Sequence, residues 1–457
     1  MARENNFTTG KILGPLVRFM LPVLFAMLLQ SMYGAVDLLI VGQFADSRDV
    51  SAVSTGSQMM MTITNIVTSF AMGTTILLGQ RIGEGRGREG GEVVGSSICL
   101  FAAIAGALTV LIPALSGPLS SVMNAPPEAF SRTASYIRIC GFGSVFIISY
   151  NLIGSIFRGI GDSRTPLMTV LIACACNILG DLLLVAVFHM GAAGAAAATV
   201  FAQAVSVAAS VLILKRKGLP FEFGRSDIRF QGPIIRKITR LGLPIAFQDL
   251  LVGISFLVLL AIVNGLGLIP SAGIGVAERV CGIIMLIPMA FMQAMAAFSA
   301  QNFGAGQYGR AKKALWYAIA VSAVPAVFMF VLNFWNGALL ARVFSRDPAV
   351  IAAGAEYLKA YAIDCLLTCF LFCFIGFFNG IGMTRFIMIQ GIVGAFLVRI
   401  PVAYLMSREV PVSMFHVGLA TPCSTLLQVI LCLSCFVFIS RELPRKTGTK
   451  KRPETKI

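Results

Sequence analysis

Long apolar stretches alternate with short polar ones along almost the whole chain, and their spacing is that of membrane spans. A bilayer core of roughly 30 Å takes about 20 mostly apolar helical residues. Runs of that length are read at 15–43, 50–78, 92–117, 128–156, 166–188 and 191–214, then at 241–264, 271–300, 314–342, 350–378, 386–408 and 415–440. The first run lacks the small-residue cleavage site of a secretory signal and is read as a retained helix. Most Lys and Arg residues collect in the N-terminal region, near 79–91, 157–165, 215–240, 301–313 and 379–385, and after 440. Every second gap is therefore basic, which places those gaps and both termini on the cytoplasmic side.

Composition removes the soluble alternatives. Hydrophobic residues make up 57% of the 457 positions and charged residues only 12%, against roughly 25% charged in soluble domains. The net charge of +16 would suggest a nucleic-acid partner in a soluble domain, but here the basic residues orient a membrane protein, and no nucleic-acid partner is expected. The eleven cysteines lie almost wholly inside apolar runs and read as packing residues. Cys365, Cys369 and Cys373 share a helix face without His or acid support, so no metal site is expected.

The second half of the chain repeats the first. GQRIGEGRGREG at 79–90 matches AQNFGAGQYGRA at 300–311, and FRGIGDSRT at 157–165 matches FNGIGMTRF at 378–386, both offset by 221 residues; RFMLP at 18–22 matches RLGLP at 240–244, offset by 222. Six spans per half give the two halves one orientation, a parallel repeat about an axis along the membrane normal. The fold class is thus all-α integral membrane, with twelve transmembrane helices in two pseudo-symmetric six-helix lobes. The expected organisation is an N-lobe at 1–214, a cytoplasmic linker at 215–240, a C-lobe at 241–440 and a basic cytoplasmic tail at 441–457. Parallel repeats of this kind place a substrate pathway at the interface between halves that rock to open alternately to each side.

Five acids fall inside apolar runs: Asp37, Asp181, Asp249, Glu278 and Asp364. Each costs roughly 2.5 to 3.5 kcal/mol at a helix centre, so each needs compensation. For Asp249, Glu278 and Asp364 two readings stay open, pairing with Arg279, Lys359 or Arg399, or lining a substrate cavity. Depth distinguishes the others. At 1.5 Å per residue Asp37 lies about 33 Å along the first helix, Asp181 about 22 Å along the fifth, and Thr199 about 12 Å down the sixth from its outer end. All three fall in the outer half of the bilayer, and Asn177 shares a helix face with Asp181. Two carboxylates, a carboxamide and a hydroxyl make a set of hard oxygen ligands or a proton-binding group. Their C-lobe counterparts, Leu259, Val398, Val402 and Ala420, are all apolar, so ion coupling is expected in the N-lobe alone.

MYGAVDLLIVGQF at 32–44, GQRIGEG at 79–85, FRGIGDSRTP at 157–166, NILGD at 177–181, GAAGAAAAT at 191–199 and AQNFGAG at 300–306 together resemble the multidrug and toxic compound extrusion family. The resemblance covers the chain from Lys11 to about Arg441. It implies two lobes around a central cavity and cation-coupled efflux. In the archaeal and DinF-like branch, which this chain resembles, the cation site uses an aspartate on the first helix, an asparagine and an aspartate on the fifth and a threonine on the sixth; the matching positions are Asp37, Asn177, Asp181 and Thr199. NorM-like members use acids on helices seven and ten. Asp249 and Asp364 lie on those helices, but not at the same distance from the flanking proline or FNG motif.

The function expected is antiport: inward flow of Na+ or H+ drives export of small organic, cationic amphiphilic compounds by alternating access. A lipid or lipid-linked saccharide flippase of the same superfamily is the alternative, although anionic cargo would favour a basic cavity over these acids. An enzyme is not expected, since neither His189 nor His416 has a partner spaced for nucleophilic or metal chemistry. A channel would need a continuous pore lining. The chain is expected to work as a monomer among the lipids of a bacterial inner membrane, without a bound cofactor beyond its coupling ion.

Overall fold

The computed structural model describes residues 7–442, and the described residues contain helices and no strand. The N-terminal half comprises α1 (Leu13–Phe44), α2 (Ser47–Gly83), α3 (Gly87–Ala114), the short α4 (Ser116–Val122), α5 (Phe130–Phe142), α6 (Ser144–Ile160), α7 (Arg164–Asp181) with a π-helical continuation Leu182–Val187, and α8 (Gly191–Lys217). The C-terminal half has α9 (Gly232–Asn264), α10 (Leu268–Gly304), α11 (Tyr308–Arg342), α12 (Pro348–Gly380), α13 (Thr384–Ile392) with a π-helical continuation Val393–Arg399, α14 (Ile400–Met406), α15 (Met414–Gly418) and α16 (Ala420–Glu442). Among the described residues, eleven helical segments are long and apolar enough to cross a membrane, and α5 with α6, bent by 54°, makes a twelfth when the pair is taken as one span. The bend falls at Gly143, where a Cβ would lie 2.3 Å from a methyl of Val200. Close approach of α8 therefore requires the glycine.

Several helices outrun their apolar stretches. α2 continues to Gly83, and α9 begins at Gly232, because hydropathy marks the membrane edge while a helix persists in water until something stops it. The stops repeat along with the motifs. Gly85 and Gly306 have φ of +72° and +70°, and Gly161 and Gly382 +90° and +87°. These left-handed turns are open to glycine at little cost, which explains why GEG, GAG and the two GIG motifs recur. The polar interval at 215–240 resolves in the same way: α8 runs through Lys217 and α9 starts at Gly232, leaving 218–231 as the connection. Residues 443–457, most of the expected basic tail, lie outside the described residues.

By proximity the chain divides into two units. Of the described residues, one comprises Gly14–Asp249 with those before Gly10; the other comprises Gly10–Leu13 and those from Leu250 onward. The boundary falls inside α9, so the first half of that helix packs with the N-terminal unit. There Gly242 meets Phe70 of α2 so closely that a Cβ would lie 2.2 Å from its carbonyl oxygen. The connection also docks on this unit. Leu219, Phe221 and Phe223 join an apolar cluster with Val93, Val94 and Phe101, and Asp227 passes over Gly95 where a Cβ would lie 1.9 Å from its carbonyl oxygen. In the second unit α12 is the central helix, with Tyr357, Leu358 and Cys365 in a core shared with Ile274, Ala277 and Val417. Arg310 anchors the start of the chain to this unit by donating from Nη1 to the Gly10 carbonyl at 2.6 Å.

Candidate functional site

Four helices of the N-terminal unit meet around Asp37. On α1, Tyr33 and Asp37 are one helical turn apart, as are Asn177 and Asp181 on α7, and each pair shares a face. α8 brings Thr199, whose Oγ1 donates to Asp37 Oδ2 at 3.4 Å. The approach of α7 to α8 depends on small residues: Gly180 faces Ala198 so closely that a Cβ would lie 2.9 Å from its Cβ, and Ala195, Ala196 and Ala198 are fully buried. This is the small-residue packing that lets membrane helices approach, and it explains the alanine-rich run before Thr199. The structure thus brings together Asp37, Asn177, Asp181 and Thr199, with Asp37 facing the other three.

The surroundings are dry. Asp37 is 3% exposed and Asn177 and Asp181 are fully buried, beside Ile40, Val41, Ile137 and Val185 of one apolar cluster. Asp37 Oδ1, both carboxylate oxygens of Asp181, both amide atoms of Asn177 and the Tyr33 hydroxyl make no hydrogen bond within the protein. No basic side chain forms an ion pair with either acid among the described residues. A buried polar atom without a partner costs about 1–3 kcal/mol, and a charged one more, so this donor set fits a proton or a small cation. Three residues absent from the sequence reading also face the site: Tyr33 lies beside Asp37 and Thr199, and Tyr136 and Cys140 of α5 border Asp37. Helical spacing from Asp37 could have flagged Tyr33. Tyr136 and Cys140 come from a helix with no acid to point to them.

The end of this unit where α2 and α8 begin is held by a second polar group. Asp46 caps α2 by accepting from the backbone N of Asp49 at 3.0 Å. This bond, with Arg132 beside it, holds the Asp46 carboxyl below the usual carboxylate range. Asp49 accepts from Arg132 at 2.6 Å and from the backbone N of Ala192, at the start of α8, at 3.0 Å. A cavity of about 460 Å³ opens here, lined by Phe44, Asp46, Asp49, Arg132 and His189 among others.

The other three acids do not gather. Asp249 lies on the part of α9 that packs with the N-terminal unit and accepts a short hydrogen bond from Ser69 of α2. Glu278 on α10 is half-buried and faces Tyr357 and Cys281. Asp364 on α12 is buried and faces Thr425 and Arg399. Of the basic partners considered, Arg399 faces an acid; Arg279 and Lys359 form no ion pair with these three acids among the described residues.

Twelve spans in two related lobes, with acids buried in the membrane core, define a multi-pass membrane transporter. A family model described as MatE matches residues 22–183 and again 244–405, once in each half of the repeat, and the chain belongs to that family. It is 27% identical over 414 residues to the Probable multidrug resistance protein YpnP of Bacillus subtilis (strain 168), covering 88% of this chain and 90% of the relative. The Multidrug export protein MepA of Staphylococcus saprophyticus is 23% identical over 402 residues, 88% of each chain. Among solved structures, a MOP superfamily transporter from Pyrococcus furiosus superposes with a TM-score of 0.89 at 18% identity, over 98% of this chain and 100% of that one. Family members are transporters rather than enzymes, and the bacterial relatives agree with a place in the cell membrane.

Proposed function

We propose that the chain exports small organic compounds in exchange for a coupling cation, Na+ or H+, by alternating access, and that Asp37, Asn177, Asp181 and Thr199 hold that cation. The observation that carries this reading is a pair of buried carboxylates facing each other with three unsatisfied oxygens and no basic partner among the described residues. Two such charges in an apolar shell repel each other and are costly to desolvate. A proton or a sodium ion bound between them removes both penalties, and the Asn177 carbonyl and Thr199 hydroxyl supply further oxygen ligands. The site therefore has two packings, one with the ion and one without, and α1, α7 and α8 are the helices whose packing the ion changes. The multidrug names of YpnP and MepA support organic drugs as cargo. Cationic amphiphiles suit a protein whose membrane-embedded charges are mostly acidic and whose Phe and Met residues pack around varied apolar shapes. The transporting unit is a monomer in this reading.

Transport in proteoliposomes under separately imposed Na+ and pH gradients tests it. Export of a cationic dye should follow one of the two gradients in the parental protein and stop in Asp37→Asn and Asp181→Asn, with both variants still inserted and folded. Parental rates in both variants would refute the assignment.

A further inference from the structure

The repeat places a second polar cluster in the C-terminal lobe at the position equivalent to the ion site. The 221 offset takes Tyr136 to Tyr357 and Cys140 to Tyr361, the 222 offset takes Tyr33 to Ser255, and Asn177 maps to Val398, directly before Arg399. Both clusters adjoin a π-helical segment of the fifth span in their lobe: Asp181 immediately precedes Leu182–Val187, and Arg399 ends Val393–Arg399. Segments of this type are rare and frequently lie at functional sites. The charges differ. The N-terminal cluster has two acids and no base, whereas in the C-terminal one the counterpart of Asp37 is the fully buried Leu259 and a base stands beside a single buried acid.

Arg399 is held in place on several sides. It is 4% exposed, its Nη1 donates to Ser255 Oγ at 2.8 Å, and its guanidinium lies over the Phe256 ring at 4.0 Å. The ionisable groups it faces are Asp364, Tyr357 and Tyr361. Asp364, 2% exposed, keeps Oδ1 without a hydrogen bond and makes no direct ion pair with the guanidinium. Glu278 faces Tyr357 and is not among the groups that face Arg399.

We propose that Arg399 is the resident cation of the C-terminal lobe, its guanidinium holding there the place that the coupling ion holds in the N-terminal lobe. Asp364 is then compensated throughout the cycle by a charge that cannot leave, since an arginine stays protonated in a protein. One lobe exchanges its cation and the other keeps it, so a doubled fold carries a single ion-responsive site. This proposal rests on the N-terminal ion site described above, and it makes Arg399 a positioning residue rather than a ligand for cargo.

The test is ion binding to the purified full chain in lipid nanodiscs, with 22Na+ at high pH and, separately, proton uptake on acidification. Asp37→Asn should abolish binding. Asp37→Asn with Arg399→Gln should restore it through the unmasked Asp364, and adding Asp364→Asn should remove it again; Arg399→Lys, which keeps the charge, should behave as the parental residue. Loss in Asp37→Asn with no gain on adding Arg399→Gln overturns the role of Arg399 and leaves the N-terminal site standing. Parental binding in Asp37→Asn refutes the N-terminal reading instead, and Arg399→Gln still decides the present proposal by whether it adds binding that Asp364→Asn removes. Melting temperatures guard against misfolding: Arg399→Gln should melt lower than the parental chain and be rescued by Asp364→Asn, by Na+ or by low pH. A drop that none of these rescues overturns the proposal.

Discussion

Replacing Asp49 should loosen the end of the N-terminal unit where α2 begins and, through α8, the proposed ion site. Its carboxylate joins three elements: its own helix α2, Arg132 of α5 at 2.6 Å and the Ala192 N–H of α8 at 3.0 Å. Ala192 is seven residues before Thr199, about 10 Å along the helix, so the latch and the site lie on one rigid rod. Asp49→Ala removes the acceptor of a buried N–H, a loss of about 1–3 kcal/mol. The Arg132 contact adds less, because that side chain is 39% exposed and pairs open to solvent contribute about 0–1 kcal/mol. Asp49→Asn retains a carbonyl oxygen for Ala192 and forfeits the charge, so it should cost below about 1 kcal/mol. The expected order of melting temperatures in detergent is parental, then Asp49→Asn slightly lower, then Asp49→Ala clearly lower, and the alanine variant should also bind the coupling ion more weakly. Gly191→Ala should resemble Asp49→Ala, since its φ is +54° and its Cβ would sit 2.5 Å from the Asp49 carboxylate. Equal stability of the Asn and Ala variants would refute the division into hydrogen bond and charge, and unchanged ion binding in Asp49→Ala would refute the coupling through α8.

Two further outcomes are expected. Because its cap bond and Arg132 hold the Asp46 carboxyl below the usual range, Asp46 contributes stability at neutral pH that is lost as pH falls through that depressed value; the melting-temperature gap between parental and Asp46→Ala should be present at pH 7 and close in acid, and a gap unchanged across the range would count against it. Gly95→Val should lift the connection off α3, since even a Cβ would lie 1.9 Å from the Asp227 carbonyl oxygen, a backbone atom that cannot swing aside; proteolysis within 218–231 should speed up, and parental protection would contradict the docking.

What the sequence made legible, and what it hid, follow from the range of the interactions concerned. Twelve apolar runs are a local property, so the spans could be placed to within a few residues wherever the membrane edge and the helix end coincide. They separated at α2 and α9, where the end of α2 and the start of α9 are set by Gly85 and by the docked connection rather than by hydropathy. Pairs on one helix face, such as Asn177 with Asp181, were visible from spacing, and depth along three helices brought Thr199 to Asp37. Tyr136 and Cys140 were not visible, because a neutral side chain buried in an apolar run looks the same whether it borders an acid or a leucine. The repeat could have supplied Tyr136 alone: Tyr136 and Tyr357 are equivalent, and a buried tyrosine present in both halves points to a shared polar site, whereas Cys140 maps to Tyr361. Pairwise proximity between distant spans lay furthest from reach. Arg399, Arg279 and Lys359 were equal as partners for Asp364, and only the fold shows that Arg399 turns inward over Phe256 toward that acid. An arginine in an apolar run marks a buried acid somewhere, since neither charge is tolerated alone there. The same inference run backwards applies to Asp37 and Asp181, which pair with no arginine among the described residues: the place of the partner they lack is the one that the proposed function gives to the coupling ion.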